Sequence, residues 1–295
     1  MTGKTKRKKL TPFDVVVHII ALFLLAIVVY PLILVLSSSI SDPQMVATGK
    51  VLLLPKGITF DGYAQIFQNQ DILIGYANTI FYTVIGTLLN LLVTVPAGYV
   101  LSKKTVPGNR FFMTLFMITM YFSGGMIPTF LWVNSLGLYN SRLVLIILGA
   151  FNTYNCIICR SFFSSMPVEL EEAASIDGCS VIGTFVKIIL PLSKALLGVM
   201  VLYFAVVHWN SYFDAMIYIR DDAKQPLQVF LRRILILAQT QADMEEAASY
   251  GQTLANLEAL MRYAVIVVSS LPLLIVYPFL QKYFDKGVMI GSVKG

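Results

Sequence analysis

The stretch at residues 161–192, SFFSSMPVELEEAASIDGCSVIGTFVKIILPL, predicts a short helix, a sharp turn and a second helix. Pro167 suits the first helical turn, where its missing N–H costs no hydrogen bond, and the acidic residues after it favour the positive end of the helix. Gly178 is a natural left-handed stop, and Ser180 can cap the helix that follows. Pro191 is expected to set a bend where the stretch ends.

The composition of the whole chain favours a lipid bilayer over water as its solvent. Of the 295 residues, 57% are hydrophobic and 13% are charged, whereas a typical soluble domain carries about 25% charged residues. Runs of about 20 apolar residues are long enough to cross a membrane as helices. The predicted spans are 13–38, 76–101, 111–133, 143–163, 188–210 and 262–280. A seventh apolar run, 229–238, is short and contains Arg232 and Arg233, so an interfacial or re-entrant helix is expected there.

Six spans place both termini on one side of the membrane, and the charge distribution indicates which side. The segments on the side of the termini contain 14 of the 22 basic residues and 6 of the 16 acidic residues. Because basic residues concentrate in cytoplasmic segments, both termini are predicted to be cytoplasmic. The net charge of +6 then follows from topology and gives no reason to expect nucleic acid as a partner.

This topology divides the chain into segments, and the basic start is interpreted as part of a retained membrane anchor. The segments are a cytoplasmic N-terminus (1–12), a first transmembrane helix (13–38), an extracytoplasmic segment (39–75), a transmembrane core (76–281) and a cytoplasmic tail (282–295). Within the core, 164–187 is a cytoplasmic loop and 211–261 an extracytoplasmic loop. The pentapeptide EEAAS occurs in both loops, at 171–175 and 245–249. The second copy lacks the Asp-Gly and Leu-Pro that follow the first, so a repeated composition is the favoured explanation; contact with an extracytoplasmic binding protein is the alternative.

The cytoplasmic loop carries a fixed spacing of Glu-Ala-Ala, three residues, Gly, nine residues, Ile, one residue and Leu-Pro. The residues in this pattern are Glu172, Ala173, Ala174, Gly178, Ile188, Leu190 and Pro191. It resembles the EAA loop of ATP-binding-cassette (ABC) importer permeases. Three further stretches, FSGGMIPTFLWV (122–133), HWNSYFDAMIYI (208–219) and QKYFDKGVMIGSVKG (281–295), are similar to the sugar-importing, maltose-permease-like branch, especially its lipoprotein-operon and aldouronate-type members. Asp285 departs from the apolar residue more usual in that tail.

The resemblance implies an all-α integral membrane protein of six transmembrane helices with the type I ABC importer permease fold, in the bacterial cytoplasmic membrane. It implies half of a translocation path for a sugar or oligosaccharide, and no enzyme activity in this chain. Its partners would be a second homologous permease, a cytoplasmic ABC ATPase dimer, an extracytoplasmic sugar-binding protein and membrane lipid. The chain has no phosphate-binding GxxxxGK[ST] loop, so ATP and Mg²⁺ are expected in the partner ATPase and no cofactor in this chain.

In that family the loop is a coupling helix that docks on the ATPase. The residues implied for this coupling are Glu172, Ala173, Ala174, Asp177, Gly178, Leu190 and Pro191. Polar residues within or beside the spans are candidates for the substrate path, because amides and carboxylates bind sugar hydroxyls and aromatic rings stack on sugar faces. These candidates are Asn78, Thr83, Asn90, Asn152, Asn155, Trp209, Asn210, Tyr212 and Asp214. Hydrogen bonding between helices is the alternative use of the same residue types.

Other functions remain open alternatives. An ABC permease could carry an amino acid, a peptide or another polar solute. A secondary transporter would need a deep ionisable residue and repeated halves, and neither is visible. A membrane enzyme would need a catalytic cluster, but Asp14, His18 and His208 are scattered. Cys156 and Cys159 lack nearby ligands to complete a metal site, so no metal is predicted.

Overall fold

The computed structural model describes residues 11–234, 236 and 261–278, and helices are the only regular secondary structure in these ranges. The helices of the first half are α1 (Pro12–Ser39), α2 (Pro43–Ala47), α3 (Asp61–Gln68), α4 (Gln70–Ser102), α5 (Asn109–Tyr121), α6 (Met126–Ser135) and α7 (Arg142–Ile147). The second half has α8 (Thr153–Ser164), α9 (Glu169–Ile176), α10 (Val181–Thr184), a π-helical turn (Phe185–Ile189), α11 (Leu190–Leu192), α12 (Lys194–Trp209), α13 (Phe213–Tyr218), a 3₁₀ turn (Asp222–Lys224), α14 (227–234) and α15 (Met261–Pro278). This agrees with the all-α class expected from the sequence.

The chain divides into two compact units, the first of which comprises residues 1–68 and 234–268. None of the apolar stretch of α1 is buried against the rest of the chain, as expected for a helix that faces lipid. Hydrogen bonds join the end of α1 to the segment that follows it: the Ser37 hydroxyl donates to the Leu53 carbonyl over 2.6 Å, and the Ser39 and Tyr63 hydroxyls lie 2.8 Å apart. The serines therefore fix the chain where it leaves the first span.

The second unit comprises residues 69–233 and 269–295, and α4 is its central helix. One face of α4 packs against both α8 and α12. A side chain on Gly98 would collide with Cys159, and one on Gly86 would collide with His208. Small residues on α4 therefore let the neighbouring helices approach closely, a common device between transmembrane helices.

Three described helices, α1, α4 and α15, are long and apolar enough to cross a membrane by themselves. Two bent pairs reach that length jointly: α5 with α6, bent by 113°, and the segment Val181–Leu192 with α12, bent by 83°. The first bend lies at residues 122–125, which include Gly124 and Gly125. The described helices thus supply three spans, or five if each bent pair is one span.

The fourth predicted span, 143–163, is not one continuous helix. α7 ends at Ile147 and α8 begins at Thr153, with non-helical residues between them. The Asn152 side chain accepts a hydrogen bond from the Asn155 N–H over 3.0 Å and so caps α8. The Gly149 carbonyl, freed by the break, accepts from the Asn90 side chain of α4. The prediction of an unbroken helix was wrong because apolar composition does not reveal this cap.

The short run that was excluded from the spans is helical in the structure: α14 covers residues 227–234, and residue 236 is helical as well. Its residues Leu227, Phe230 and Leu231 are buried, whereas Arg232 and Arg233 are exposed. This two-sided pattern agrees with the expectation that it does not cross the membrane. The N-terminal residues 1–10, the second EEAAS copy at 245–249 and the tail with Asp285 lie outside the described residues.

Candidate functional site

The predicted coupling loop forms the expected helix–turn–helix. α9 begins at Glu169, with Val168 as its N-cap. Pro167 therefore precedes the cap and does not occupy the first helical turn, a small correction to the predicted boundary. Glu171 and Glu172 lie in the first turn with Glu169, where carboxylates interact favourably with the positive helix end.

The turn after α9 is a Schellman motif centred on Gly178. The Cys179 N–H donates to the Ala174 carbonyl over 2.9 Å, and the Gly178 N–H donates to the Ser175 carbonyl over 3.1 Å. Gly178 has a φ of 75°, a left-handed conformation that this motif requires and that glycine adopts without strain. Ser180 then accepts from the Gly183 N–H over 3.2 Å and caps α10. The predicted stop and cap are both confirmed.

An exposed apolar surface covers the tip of the loop. Ile176 is 86% exposed, and Val181 and Ile182 are each 76% exposed. Ala173 shares the exposed side of α9, whereas Ala174 is buried and lies beneath the surface. Of the two alanines implied for the coupling contact, only Ala173 is therefore accessible to a partner, because the Ala174 side chain is buried.

Aromatic rings connect the loop to the central helix. Tyr99 lies near the end of α4. Its ring centroid is 4.7 Å from that of Phe185 and 5.5 Å from that of Phe163. The Lys103 ammonium lies 4.5 Å from the centroid of Tyr99 and forms an ion pair with Glu171 of α9. Sequence reasoning missed this cluster, because its members are far apart in the chain and only their position at helix ends could have suggested contact.

The far side of the loop joins α12 through a bend. Leu190 is partly buried and Pro191 is exposed in α11, and the change of direction follows at Ser193. The Ser193 hydroxyl donates to the Ile189 carbonyl over 2.7 Å, next to the π-helical turn. Pro191 thus lies two residues before the bend that it was expected to set.

Several predicted path residues are buried within this chain and bind its own backbone. Asn78 donates to the Ala223 and Gln225 carbonyls over 2.9 and 3.0 Å. Asn90 lies between Gly149 and His208, and the Trp209 indole donates to the Ser269 carbonyl over 3.0 Å. These contacts match the alternative use of such residues as links between helices. Asn155 is also buried, and the Thr83 hydroxyl has no partner among the described residues.

The remaining path candidates lie at the protein surface. Asn152 and Asn210 are exposed, and Tyr212 is partly exposed with the Arg232 guanidinium 4.6 Å from its ring centroid. Asp214 is exposed, and partial desolvation of its carboxyl group raises its pKa. These four residues present amide, aromatic and charged groups that the described chain does not bury.

Comparison with known proteins places the chain in a transport family. Residues 72–290 match the family described as the binding-protein-dependent transport system inner membrane component. The chain belongs to this family. It is therefore an integral membrane permease subunit of a transport system and not an enzyme. The EAA-loop resemblance of its sequence is confirmed.

Relatives of the permease cover nearly all of its length. It is 42% identical, over 96% of this chain and 98% of the other, to the polygalacturonan/rhamnogalacturonan transport system permease protein YtcP of Bacillus subtilis strain 168. It is 43% identical, over 92% of this chain and 90% of the other, to protein LplC of the same organism. The crystal structure of a bacterial ABC transporter involved in the import of the acidic polysaccharide alginate contains a chain with a TM-score of 0.82 and 36% identity, covering 94% of this permease and 99% of that chain.

Proposed function

We propose that this permease forms half of the translocation path of an ABC importer for a sugar or oligosaccharide in the bacterial cytoplasmic membrane. Six spans, with both termini in the cytoplasm, would place the loop 164–187 against the ATPase. A second homologous permease, a cytoplasmic ATPase dimer that binds ATP and Mg²⁺, and an extracytoplasmic sugar-binding protein would complete the importer. A relative named for polygalacturonan/rhamnogalacturonan transport and a structural relative involved in alginate import support a saccharide as the solute.

The exposed apolar tip of the loop carries the coupling part of this proposal. Ile176, Val181 and Ile182 lie around the Gly178 turn, outside the predicted spans, and the described part of the chain leaves them exposed. Exposed apolar groups of this size are typical of protein contacts. The Gly178 turn fixes their relative positions, and the Lys103–Glu171 ion pair links the loop to α4. Force applied by a partner at the tip would therefore reach the central helix.

Copurification from the native membrane tests this arrangement. The tagged permease is expected to carry a second permease and an ATPase, identified by mass spectrometry. Ile176→Asp and Val181→Asp should remove the ATPase while leaving the second permease bound. Leu54→Asp is the matched control, since Leu54 is 76% exposed and lies on the predicted outer side. Retention of the ATPase by both loop variants would contradict docking at this tip.

We further propose that the solute is an acidic oligosaccharide. Two of the relatives are named for polymers of acidic sugars, polygalacturonan/rhamnogalacturonan and alginate. The Tyr212–Arg232 pair adds suitable chemistry in this chain, because a guanidinium binds carboxylates bidentately and an aromatic ring stacks on a sugar face. A neutral saccharide could stack on the Tyr212 ring but has no carboxylate for the Arg232 guanidinium to bind.

Uptake into proteoliposomes that contain the whole importer distinguishes the solute classes. Oligogalacturonate and oligoalginate are expected to enter, whereas maltotriose of similar size enters more slowly. Arg232→Gln should lower uptake of the acidic sugars about tenfold or more, since a charge-assisted hydrogen bond contributes roughly 1.5–3 kcal/mol. Faster uptake of maltotriose would contradict the acidic assignment alone. Uptake of peptides or amino acids in place of every saccharide would contradict the sugar assignment.

A further inference from the structure

A cleft of about 850 Å³ lies between the start of α5, the loop before it and the second half of α8. Three basic side chains line it, Lys104, Arg110 and Arg160, and no acidic residue does. None of the three forms a salt bridge within the described part of the chain. Arg160 is held in place because its Nε donates to the Leu101 carbonyl over 3.0 Å. The cleft therefore concentrates positive charge that no salt bridge from the described residues neutralises.

The same cleft continues along an apolar wall. Met113 and Met117 of α5 line it, together with Ile157 of α8. Met113 is buried, whereas the Met117 side chain is 44% exposed. Arg110 and Met117 are seven positions apart, which corresponds to about 10 Å along the helix. The cleft thus runs from a basic mouth at the predicted cytoplasmic surface to an apolar end at hydrocarbon depth.

We propose that this cleft binds an anionic glycerophospholipid of the cytoplasmic leaflet. The phosphate would lie among the three basic side chains, and an acyl chain would follow Met113 and Met117. Basic pockets on the cytoplasmic side of transmembrane helices suit such headgroups. The start of α5 adds to the attraction, because Gly108 gives its N-terminus no side-chain cap and the free N–H groups favour an anion.

The apolar wall decides between a lipid and other anionic occupants. An acidic surface of the ATPase could reach Lys104 and Arg110, which are both exposed. It would leave the methionine wall of α5 uncovered, and so would a free phosphate ion. Only an amphipathic molecule matches the charge and the apolar wall together. The assignment to the cytoplasmic leaflet rests on the proposed cytoplasmic placement of the loop before α5. Lipid binding is measurable without transport, so the lipid proposal and the proposed transport function can fail separately.

Native mass spectrometry of the full chain, purified with its accompanying subunits and stripped of lipid, tests the site. Dioleoylphosphatidylglycerol is expected to bind more tightly than dioleoylphosphatidylcholine. Lys104→Gln/Arg110→Gln should weaken phosphatidylglycerol binding about 25-fold, at about fivefold for each basic residue near an anionic lipid, without changing phosphatidylcholine binding. Met117→Asn should weaken the binding of the same lipid several-fold while all three basic residues remain.

The charge-matched control is Lys187→Gln/Lys194→Gln, two exposed lysines of the same predicted side outside the cleft. Its affinity for phosphatidylglycerol should stay within about twofold of the unmodified chain. Equal binding of the two lipids, or an equal loss in this control, would overturn the proposal. So would complete displacement of the lipid by millimolar inorganic phosphate, which would indicate a simple anion site. Loss of the ATPase from the Lys104→Gln/Arg110→Gln variant with unchanged lipid binding would indicate a protein contact instead.

Discussion

The centroids of the Tyr99 and Phe185 rings lie 4.7 Å apart, and the two ring planes meet at an angle of 31°. Tyr99 belongs to the central helix α4, and Phe185 begins the π-helical turn that follows α10. Aromatic pairs at this separation contribute about 0.5–1.5 kcal/mol beyond the area that they bury. The pair therefore provides a direct mechanical connection between the proposed ATPase-contacting loop and the helix at the centre of the permease.

Removing the Tyr99 ring is expected to weaken coupling. Tyr99→Leu keeps an apolar side chain but loses the stacking on Phe185, so fewer solute molecules should enter per ATP hydrolysed by the assembled importer. Tyr99→Phe retains the ring and serves as the control, with coupling close to the unmodified value. The measurement is uptake and ATP hydrolysis in the same proteoliposomes. An unchanged ratio in Tyr99→Leu would show that the ring pair transmits nothing.

Gly178→Val is expected to uncouple ATP hydrolysis from uptake without preventing membrane insertion. A Cβ at this position would meet no atom within 4 Å, so the effect arises from the left-handed backbone, which costs other residues about 1–2 kcal/mol. Gly178→Asn should be milder, since asparagine tolerates this conformation.

Gly49→Val is the matched control for that experiment. Gly49 has a φ of 67° and open space around it, but it lies in the predicted extracytoplasmic segment. Both valine variants carry similar backbone strain, and only Gly178→Val should lower uptake relative to ATP hydrolysis. Normal uptake by Gly178→Val would contradict the assignment of the coupling loop.

The sequence predicted the loop well because its signals are local. The Gly178 turn and the Ser180 cap each depend on residues a few positions apart, and both were found. The break before α8 was missed because the predicted span rested on apolar composition, which reveals neither the Asn152 cap nor Asn90 of α4, whose side chain donates to the Gly149 carbonyl from 59 positions away. For the same reason, the sequence could not divide the path candidates into buried and exposed residues. An asparagine in a transmembrane segment gives the same sequence signal whether it bonds a neighbouring helix or lies at the surface.

Two asparagines distinguish structural from path residues. Asn78→Ala removes two hydrogen bonds to the 223–225 segment and should lower the free energy of unfolding by about 1–3 kcal/mol. Asn210→Ala removes an exposed hydrogen bond to Val206 within its own helix, so stability should hardly change. If Asn210 contacts the solute, its variant should nevertheless lower uptake severalfold. Thermal unfolding in detergent and initial uptake rates separate the two effects, and unchanged uptake would remove Asn210 from the path.

Gly86 and His208 form a contact whose energetics are testable by a double-mutant cycle. The His208 Nε2 lies 2.7 Å from the Asn90 Oδ1, and a Cβ on Gly86 would overlap the imidazole ring. Gly86→Ala should therefore push the ring from its hydrogen bond and destabilise the permease by about 1–3 kcal/mol, the usual cost of overpacking.

His208→Ala removes the ring and makes room for the methyl group. In that background Gly86→Ala should cost almost nothing, so the two changes should be strongly non-additive in thermal unfolding measurements. Gly149→Ala is the control, because a Cβ there meets no atom within 4 Å. Additive losses from Gly86→Ala and His208→Ala would mean that α4 and α12 are not in contact at this point.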